Sequence, residues 1–272
     1  MSDFLKKIDG LKKEVPDSRF ILPGSGEEIF FKPFDTSDQK AMLKAMEKQD
    51  LELLNEVFDS VLRKCVTNEG FSPLDLYPRD RESLLIELRR TSVKEEYVHS
   101  WNCGNIIKDE NEEEVTCNCE NKKVFPLSEL ELENLEIKYE PKEVTLEDID
   151  CVLTLEVPRR REEKLVYKYS KDHSKDMKKG NMSAIELLFA SLASAITNVK
   201  IKAGEEVEEN KNIKFEDKVT FVGKLSVDDR NKIRDFVKEL EDYGFDLTLK
   251  DCKCEKCGCT DDVRVDWMRF FA

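Results

Sequence analysis

The chain has 272 residues, of which 38% are charged, and its 45 Lys and Arg against 59 Asp and Glu give a formal net charge of −14. So acidic a chain repels nucleic-acid phosphates, and 8% aromatic residues with clear apolar periodicity exclude wholesale disorder. The first residues lack the apolar stretch of a secretory signal, and the longest apolar run, 185–196, is too short to span a bilayer. Nine cysteines in such a chain fit a reducing compartment and metal binding better than disulfides. We therefore expect a soluble protein made in the cytoplasm.

The first predicted element is an amphipathic segment over residues 1–17. Phe4, Leu5, Ile8 and Leu11 fall on one helical face, with lysines opposite. A helix this short is marginal on its own. Two interpretations stay open: an N-terminus that frays or docks locally, and a peptide-like helix that binds a partner through Phe4, Ile8 and Leu11.

Residues 18–157 are predicted to form a domain with a β-hairpin, helices and a cysteine-bearing β-ribbon. Apolar residues alternate over 18–34 on both sides of a Pro-Gly-Ser-Gly turn, as in a hairpin. A helix is predicted to start at Asp35 or Thr36, and two more are predicted at about 50–66 and 79–91. Because Cys65 lies on the apolar stripe of the second helix, we expect it in the core and not at a metal site.

The ribbon in this domain carries Cys103, Cys117 and Cys119, on either side of the acidic run 109–114. Three thiolates leave a tetrahedral zinc ion one ligand short. His99 is the nearest candidate for the fourth ligand, although a histidine in a strand is more often a bystander. The other possibility is that this ribbon shares its ligands with cysteines near the C-terminus.

Four cysteines near the C-terminus fall within eight residues, at Cys252, Cys254, Cys257 and Cys259. Thiolates this close together need a soft cation, and tetrahedral Zn²⁺ is the usual solution. Cys254-x-x-Cys257-Gly258 also has the shape of a zinc knuckle. Free thiols on a surface hairpin and a redox pair are the alternatives, and the redox pair is disfavoured because the motif lies between strand-like runs and does not open a helix. We expect one or two structural zinc ions.

A basic polar linker is predicted at 158–181, since residues 159–179 hold nine Lys and Arg against four Asp and Glu. It is either a solvated linker or an electrostatic contact for an acidic neighbour. Residues 182–272 are predicted as a helical domain that ends in the zinc knuckle, with its most apolar helix over 182–197 buried in the core or at a subunit interface.

The chain ends in Trp267, Phe270 and Phe271, which either tuck back onto the domain or bind a partner. Catalysis is not expected: there are two histidines, no Ser/His/Asp set, no phosphate loop and no GxGxxG, and all-thiolate zinc sites have no open position for a water. The predicted fold is α+β, with an N-terminal β-hairpin, helices and two cysteine-pinned β-ribbons that resemble zinc knuckles.

Two parts of the sequence resemble the T-even-type phage baseplate protein family. One is ILPGSGEEIFFKPF at 21–34, followed by QKAMLKA at 39–45. The other is LSVDDRNKIRDF at 225–236, followed by Cys254-x-x-Cys257-Gly258 and the Phe270-Phe271 ending. The spacing of the upstream cysteines and the basic 158–181 segment depart from the family pattern.

The resemblance implies a non-enzymatic structural or assembly component of the baseplate hub in a contractile tail, located in the virion. Its partners would be the tail tube, the tape measure and other hub subunits. The alternative is a zinc-ribbon adaptor that binds protein or nucleic acid, although the charge makes nucleic acid an unfavourable partner.

Overall fold

The computed structural model describes residues 16–93, 96–108, 112–125, 127, 132–133, 139–174, 184–203, 206–238, 244–245, 248–265 and 270. The predicted partner-binding residues Phe4, Ile8, Leu11, Trp267 and Phe271 lie outside the described residues.

Seven helices and a set of small antiparallel sheets make up the described part of the chain, so the fold is mixed α/β. The strands are β1 (Ser18–Ile21), β2 (Glu28–Phe31), β3 (Tyr97–Asn102), β4 (Ile106–Lys108), β5 (Glu114–Thr116), β6 (Glu120–Phe125), β7 (Leu132–Glu133), β8 (Lys142–Leu146), β9 (Cys151–Leu155), β10 (Ile196–Ala203), β11 (Glu206–Asn210), β12 (Gly244–Phe245), β13 (Thr248–Lys253) and β14 (Thr260–Arg264). The helices are α1 (Thr36–Glu47), α2 (Leu51–Cys65), α3 (Pro78–Ser92), α4 (Arg160–Ser174), α5 (Ala184–Ser194), α6 (Phe215–Lys224) and α7 (Val227–Lys238).

The first of two hydrophobic cores is built by the predicted hairpin and the helices that follow it. Strands β1 and β2 pair antiparallel, and β2 directs Ile29 and Phe31 inward. Helix α2 presents its stripe of residues at steps of three and four to the same core, and Cys65 lies in that core as its position predicts. The buried carboxylate of Asp80 fixes the hairpin turn by accepting hydrogen bonds from the backbone N–H of Gly24 (2.6 Å) and of Ser25 (3.0 Å).

The second core lies between a four-stranded antiparallel sheet, in the order β11-β10-β9-β8, and helices α5, α6 and α7. Alternating residues of β9 and small residues of α5 are buried against each other. Strands β8 and β9 come from the region predicted as 18–157, while β13 and Phe270, from the region predicted as 182–272, pack in the first core. Each core therefore draws on both of the predicted domains.

Helix α4 occupies most of the segment predicted as a basic linker. The Arg160 side chain is 2% exposed and contacts Glu52 at 2.8 Å and Asp59 at 3.2 Å, both on α2. Arg81 on α3 binds the same Asp59 carboxylate at 2.8 Å. The segment was expected to be a solvated linker, but much of it is a helix in contact with the first core. The physical reason is that Arg160 forms ion pairs with buried carboxylates of α2.

Three short ribbons lie next to the first core: β3 pairs with β6, β4 with β5, and β13 with β14. In the β3–β6 ribbon, Tyr97, His99 and Trp101 alternate on one side, and Val98 pairs with Val124 on the other. The cysteines lie in the turns and at the strand ends of these ribbons, so the ribbons determine where the sulfur atoms meet.

Candidate metal centre

Four cysteine sulfurs from two distant parts of the chain meet in one place. The Sγ atoms of Cys103, Cys117, Cys254 and Cys257 all lie within 4.8 Å of one another. The distance is 3.6 Å between Cys103 and Cys257 and 3.8 Å between Cys117 and Cys254. Four sulfurs at Zn–S distances of about 2.3 Å around a tetrahedral ion would be about 3.8 Å apart. The spacing is therefore compatible with a four-thiolate metal site.

The upstream pair is positioned by a compact set of backbone hydrogen bonds between the ribbons. The N–H of Cys103 donates to the carbonyl of Cys119 (3.0 Å), and the N–H of Asn118 donates back to the carbonyl of Cys103 (3.0 Å). The N–H of Cys117 donates to the carbonyl of Asn105 (2.8 Å). Asn118 has a φ of 47°, a left-handed conformation that asparagine tolerates better than most residues. The chain reverses here, and both sulfurs come to the same side.

The downstream pair lies in the turn between β13 and β14. The N–H of Cys254 donates to the carbonyl of Cys259 (2.8 Å), and the N–H of Gly258 donates to the carbonyl of Cys254 (2.9 Å). Gly258 has a φ of 72°, which a residue without a Cβ adopts at no steric cost. The predicted knuckle thus has the tight turn its glycine requires. The Asn121 side chain of β6 binds this turn by accepting a hydrogen bond from the N–H of Glu255 (2.9 Å).

The electrostatics of the group fit a cation. The backbone N–H of Cys257 points to the Cys254 sulfur and lowers the pKa of that thiol to about 6. The N–H of Asn105 lowers the pKa of Cys103, but burial and the neighbouring sulfurs outweigh it and raise the pKa to about 12. One thiol therefore ionises readily while another resists, because thiolates at this distance repel each other. A soft divalent cation removes that repulsion, so these four residues can hold a metal ion.

Two other predicted ligands, Cys119 and Cys259, lie close by but outside the group of four. Both are half-buried, and their thiols face backbone carbonyls: Cys119 that of Glu120 at 3.6 Å and Cys259 that of Thr260 at 3.8 Å. The group of four therefore takes Cys103 and Cys117 from the upstream cysteines and Cys254 and Cys257 from the downstream ones. Cys119 and Cys259 lie beside it.

The remaining two predicted ligands, Cys252 and His99, are buried away from the four sulfurs. The Cys252 thiol lies 3.4 Å from the carbonyl of Leu249, in the first core. The His99 ring lies 3.2 Å from the Tyr97 hydroxyl through Nδ1 and stacks on Trp101. Of the alternatives for the fourth upstream ligand, the geometry matches sharing across the fold, with two sulfurs from each ribbon.

Comparison with known proteins identifies the family. The model of a family described as T4 bacteriophage base plate protein matches residues 15–272, nearly the whole chain. The chain belongs to this baseplate family. The resemblance read from the hairpin and the C-terminal motifs is thus confirmed at the level of the family. No curated protein and no solved structure matches the chain at a significant level.

Membership implies a structural role in a phage baseplate, a location in the virion tail and contacts with other tail proteins. In the part of this baseplate protein that the structure describes, no helix combines the length and the apolar character that crossing a bilayer requires.

Phe270 was predicted to bind a partner, but in this baseplate protein its side chain is buried. Phe270 is 1% exposed, and its ring centroid lies 5.3 Å from that of Tyr97 at the start of β3. The Arg89 guanidinium of α3 lies 5.1 Å from the Phe270 ring centroid and 5.8 Å from that of Tyr97. A large aromatic ring gains more from this apolar and cationic pocket than from water. Phe270 is therefore a core residue, which is the tucked-back alternative.

Proposed function

We propose that this baseplate protein is a non-enzymatic component of the baseplate hub, or of hub assembly, and that zinc stabilises its fold. The observation that carries the proposal is the family match over residues 15–272, together with the sequence resemblance of its hairpin and C-terminus to hub proteins. The work of such a protein is done by surfaces, so the proposal requires a rigid scaffold and exposed contact areas.

Zinc as the ion is supported by the donor set. Four sulfurs with no other ligand type favour Zn²⁺ over the hard cations Mg²⁺ and Ca²⁺. Cys103, Cys117 and Cys254 are buried, which leaves little access for a substrate or an activated water. A closed all-cysteine site is typical of structural and not catalytic zinc. Its role here would be to hold together ribbons too small to have a core of their own.

Contacts with neighbouring tail proteins are supported by apolar side chains that the described structure leaves at the surface. Near the start of α5, Ile185 is 61% exposed, and Leu187 and Leu188 are exposed beside it. Isolated exposed aliphatic residues are ordinary, but several within one turn of a helix are typical of a contact area. Tail tube, tape measure and hub subunits remain the proposed partners, and the binding roles of Phe4, Ile8, Leu11, Trp267 and Phe271 remain predictions.

The alternative of a nucleic-acid adaptor loses part of its support, because two arginines of the basic run contact carboxylates of the same chain. Arg160 is buried in ion pairs with α2, and Arg161 pairs with Asp75. The net charge of −14 also disfavours binding to phosphates.

The test is complementation of a phage that lacks this gene, with mass spectrometry of purified particles. We expect the wild-type chain to restore baseplates, and Leu188→Asp on α5 to fail while its fold and metal content stay intact. Lys40→Asp on the exposed side of α1 is the matched control and should restore them. Normal baseplates without the chain would refute the proposal.

A further inference from the structure

Cys257 is the most accessible member of the group of four sulfurs. Cys103, Cys117 and Cys254 are buried, whereas Cys257 is half-buried. Its Sγ lies 3.6 Å from that of Cys103, and the side-chain amide of Asn105, between β3 and β4, donates to it at 3.8 Å. Cys257 is therefore a thiol that a reagent from solvent can reach, and a buried thiol lies directly behind it.

The pair of Cys103 and Cys257 has what thiol–disulfide exchange requires. One thiol must be accessible to the oxidant, and a second must be close enough to displace the first adduct. The sulfurs of a disulfide are about 2.05 Å apart, so these two would have to approach each other by about 1.6 Å. Gly104 and Gly258 follow the two cysteines in sequence. Their chain neighbours apart, no atom of the described chain lies within 4 Å of where a Cβ would stand on either glycine. Both turns therefore have room for a shift of this size.

We propose that Cys103 and Cys257 form a disulfide under oxidising conditions, which joins the end of β3 to the β13–β14 turn in place of a metal ion. The thiolate of Cys257 attacks one sulfur of a small disulfide such as oxidised glutathione, which forms a mixed disulfide and releases one glutathione. The thiolate of Cys103 then attacks the Cys257 sulfur and displaces the second glutathione. The protein gives up two electrons and two protons, and the oxidant receives them as two thiols.

The other two sulfurs of the group stay reduced. Cys117 and Cys254 lie 3.8 Å apart and are both buried, so a reagent as large as glutathione does not reach them. A site left with two of its four sulfurs holds a metal ion much less strongly. The disulfide joins residues 154 positions apart in sequence, so it constrains the unfolded chain about as much as the metal would.

The competing product is a disulfide between Cys254 and Cys257, within one turn. Such a bond would tie residues three positions apart and would leave the two ribbons unlinked. The Cys257 sulfur lies 3.6 Å from Cys103, and the Cys254 sulfur lies 3.8 Å from Cys117, so both contacts run between the ribbons. The geometry therefore favours the bond between the ribbons.

The family gives this chemistry a setting. A protein of the virion tail leaves the cell with its particle, and disulfides persist outside the cell but not in a reducing cytoplasm. The metal would hold the ribbons together while the chain folds, and the disulfide would hold them in the released particle. This setting rests on membership in the baseplate family, whereas the reaction rests on the positions of the four sulfurs and does not depend on the hub assignment.

Oxidation of the purified full-length chain in glutathione redox buffers tests the proposal. The readouts are peptide mapping under non-reducing conditions and the release of zinc. We expect one cross-linked pair of peptides, containing Cys103 and Cys257, and two fewer alkylatable thiols than the nine of the sequence. The chelator-treated chain and Cys254→Ser, which lacks the competing partner, should give the same cross-link. Cys259→Ser removes a half-buried cysteine outside the group, so it is the matched control and should react like the wild type.

Three results would overturn the proposal. They are a main product that links Cys254 to Cys257, a main product that contains Cys119 or Cys259, and a chain that keeps all its thiols in the most oxidising buffer. Brief alkylation of the metal-free chain tests the point of entry separately. Cys257 should react about tenfold faster than Cys103, because the reactivity of a thiol follows its exposure. Equal rates would contradict the role of Cys257 as the thiol that the oxidant meets first.

Discussion

The sharpest prediction concerns which cysteines hold the metal. Cys254→Ser removes one of the four grouped sulfurs, whereas Cys259→Ser removes a sulfur five residues further along the same ribbon but outside the group. Both changes replace sulfur with oxygen at nearly constant volume. Because Cys254 is buried and Cys259 is half-buried, the difference in zinc content between the two variants, and not the difference in stability alone, reports on metal binding.

The magnitude follows from the length of chain that the metal would close. Cys117 and Cys254 are 137 residues apart in sequence. In the chain-entropy model, a link that closes a loop of this length stabilises the fold by about 5 kcal/mol at 25 °C. Typical domains unfold at about 5–15 kcal/mol, so losing the link would remove a large share of the stability.

Metal content and denaturant unfolding measure the two consequences together. We expect about one zinc per chain in the wild type and in Cys259→Ser, and little in Cys254→Ser. Cys254→Ser and the chelator-treated wild type should unfold at similarly low denaturant concentrations, with a loss of up to about 5 kcal/mol. Full zinc occupancy in Cys254→Ser, or equal loss in the two variants, would refute the assignment of ligands.

Three further changes test the rest of the fold. Phe270→Ala should lower the free energy of unfolding by about 3–5 kcal/mol, because it leaves a cavity where the buried ring was. Thermal unfolding measures the loss, and the control variant Phe270→Leu should lose much less stability. Arg160→Ala should lower the free energy of unfolding in denaturant by about 3–5 kcal/mol, because the buried carboxylates of Glu52 and Asp59 lose a cationic partner. An unchanged midpoint of unfolding would contradict this buried ion-pair network. Asp35 caps α1, and the Ser37 hydroxyl, followed by Lys64, lowers the pKa of its carboxyl. A lowered pKa stabilises the fold above about pH 4 and ceases to do so as the pH falls further, so the advantage of the wild type over Asp35→Asn should shrink between pH 5 and pH 2 in acid-unfolding curves.

Elements with strong local periodicity could be predicted from the sequence. The helix expected at about 50–66 is α2, Leu51–Cys65, and the one expected at about 79–91 is α3, Pro78–Ser92. Both helices have apolar residues at helical spacing, and these residues are buried in the first core, so the local pattern and the tertiary packing agree. The long helix predicted over 182–197 is cut short at Ser194, because the β-branched residues that follow alternate and extend β10 across the sheet.

Features that depend on distant partners could not be predicted. The composition of 158–181 indicates a solvated segment, and nothing local shows that Arg160 meets carboxylates more than 100 residues earlier. The metal centre also depends on residues that are far apart in the sequence. Each ribbon offers several cysteines in tight turns, and local spacing cannot select the pair that faces the other ribbon. The only available signal was the shortage of a fourth ligand upstream, which indicated sharing without naming the pair.

Long-range contacts hold the β3–β6 ribbon at both of its ends. Tyr97, at the start of β3, is held by Phe270, and Cys103, directly after the end of β3, faces Cys257. Between them, Lys123 on β6 donates to the carbonyl of Lys250 on β13 at 3.2 Å. The partners in these contacts all lie after residue 248, so the ribbon cannot take its final orientation before that part of the chain has been synthesised.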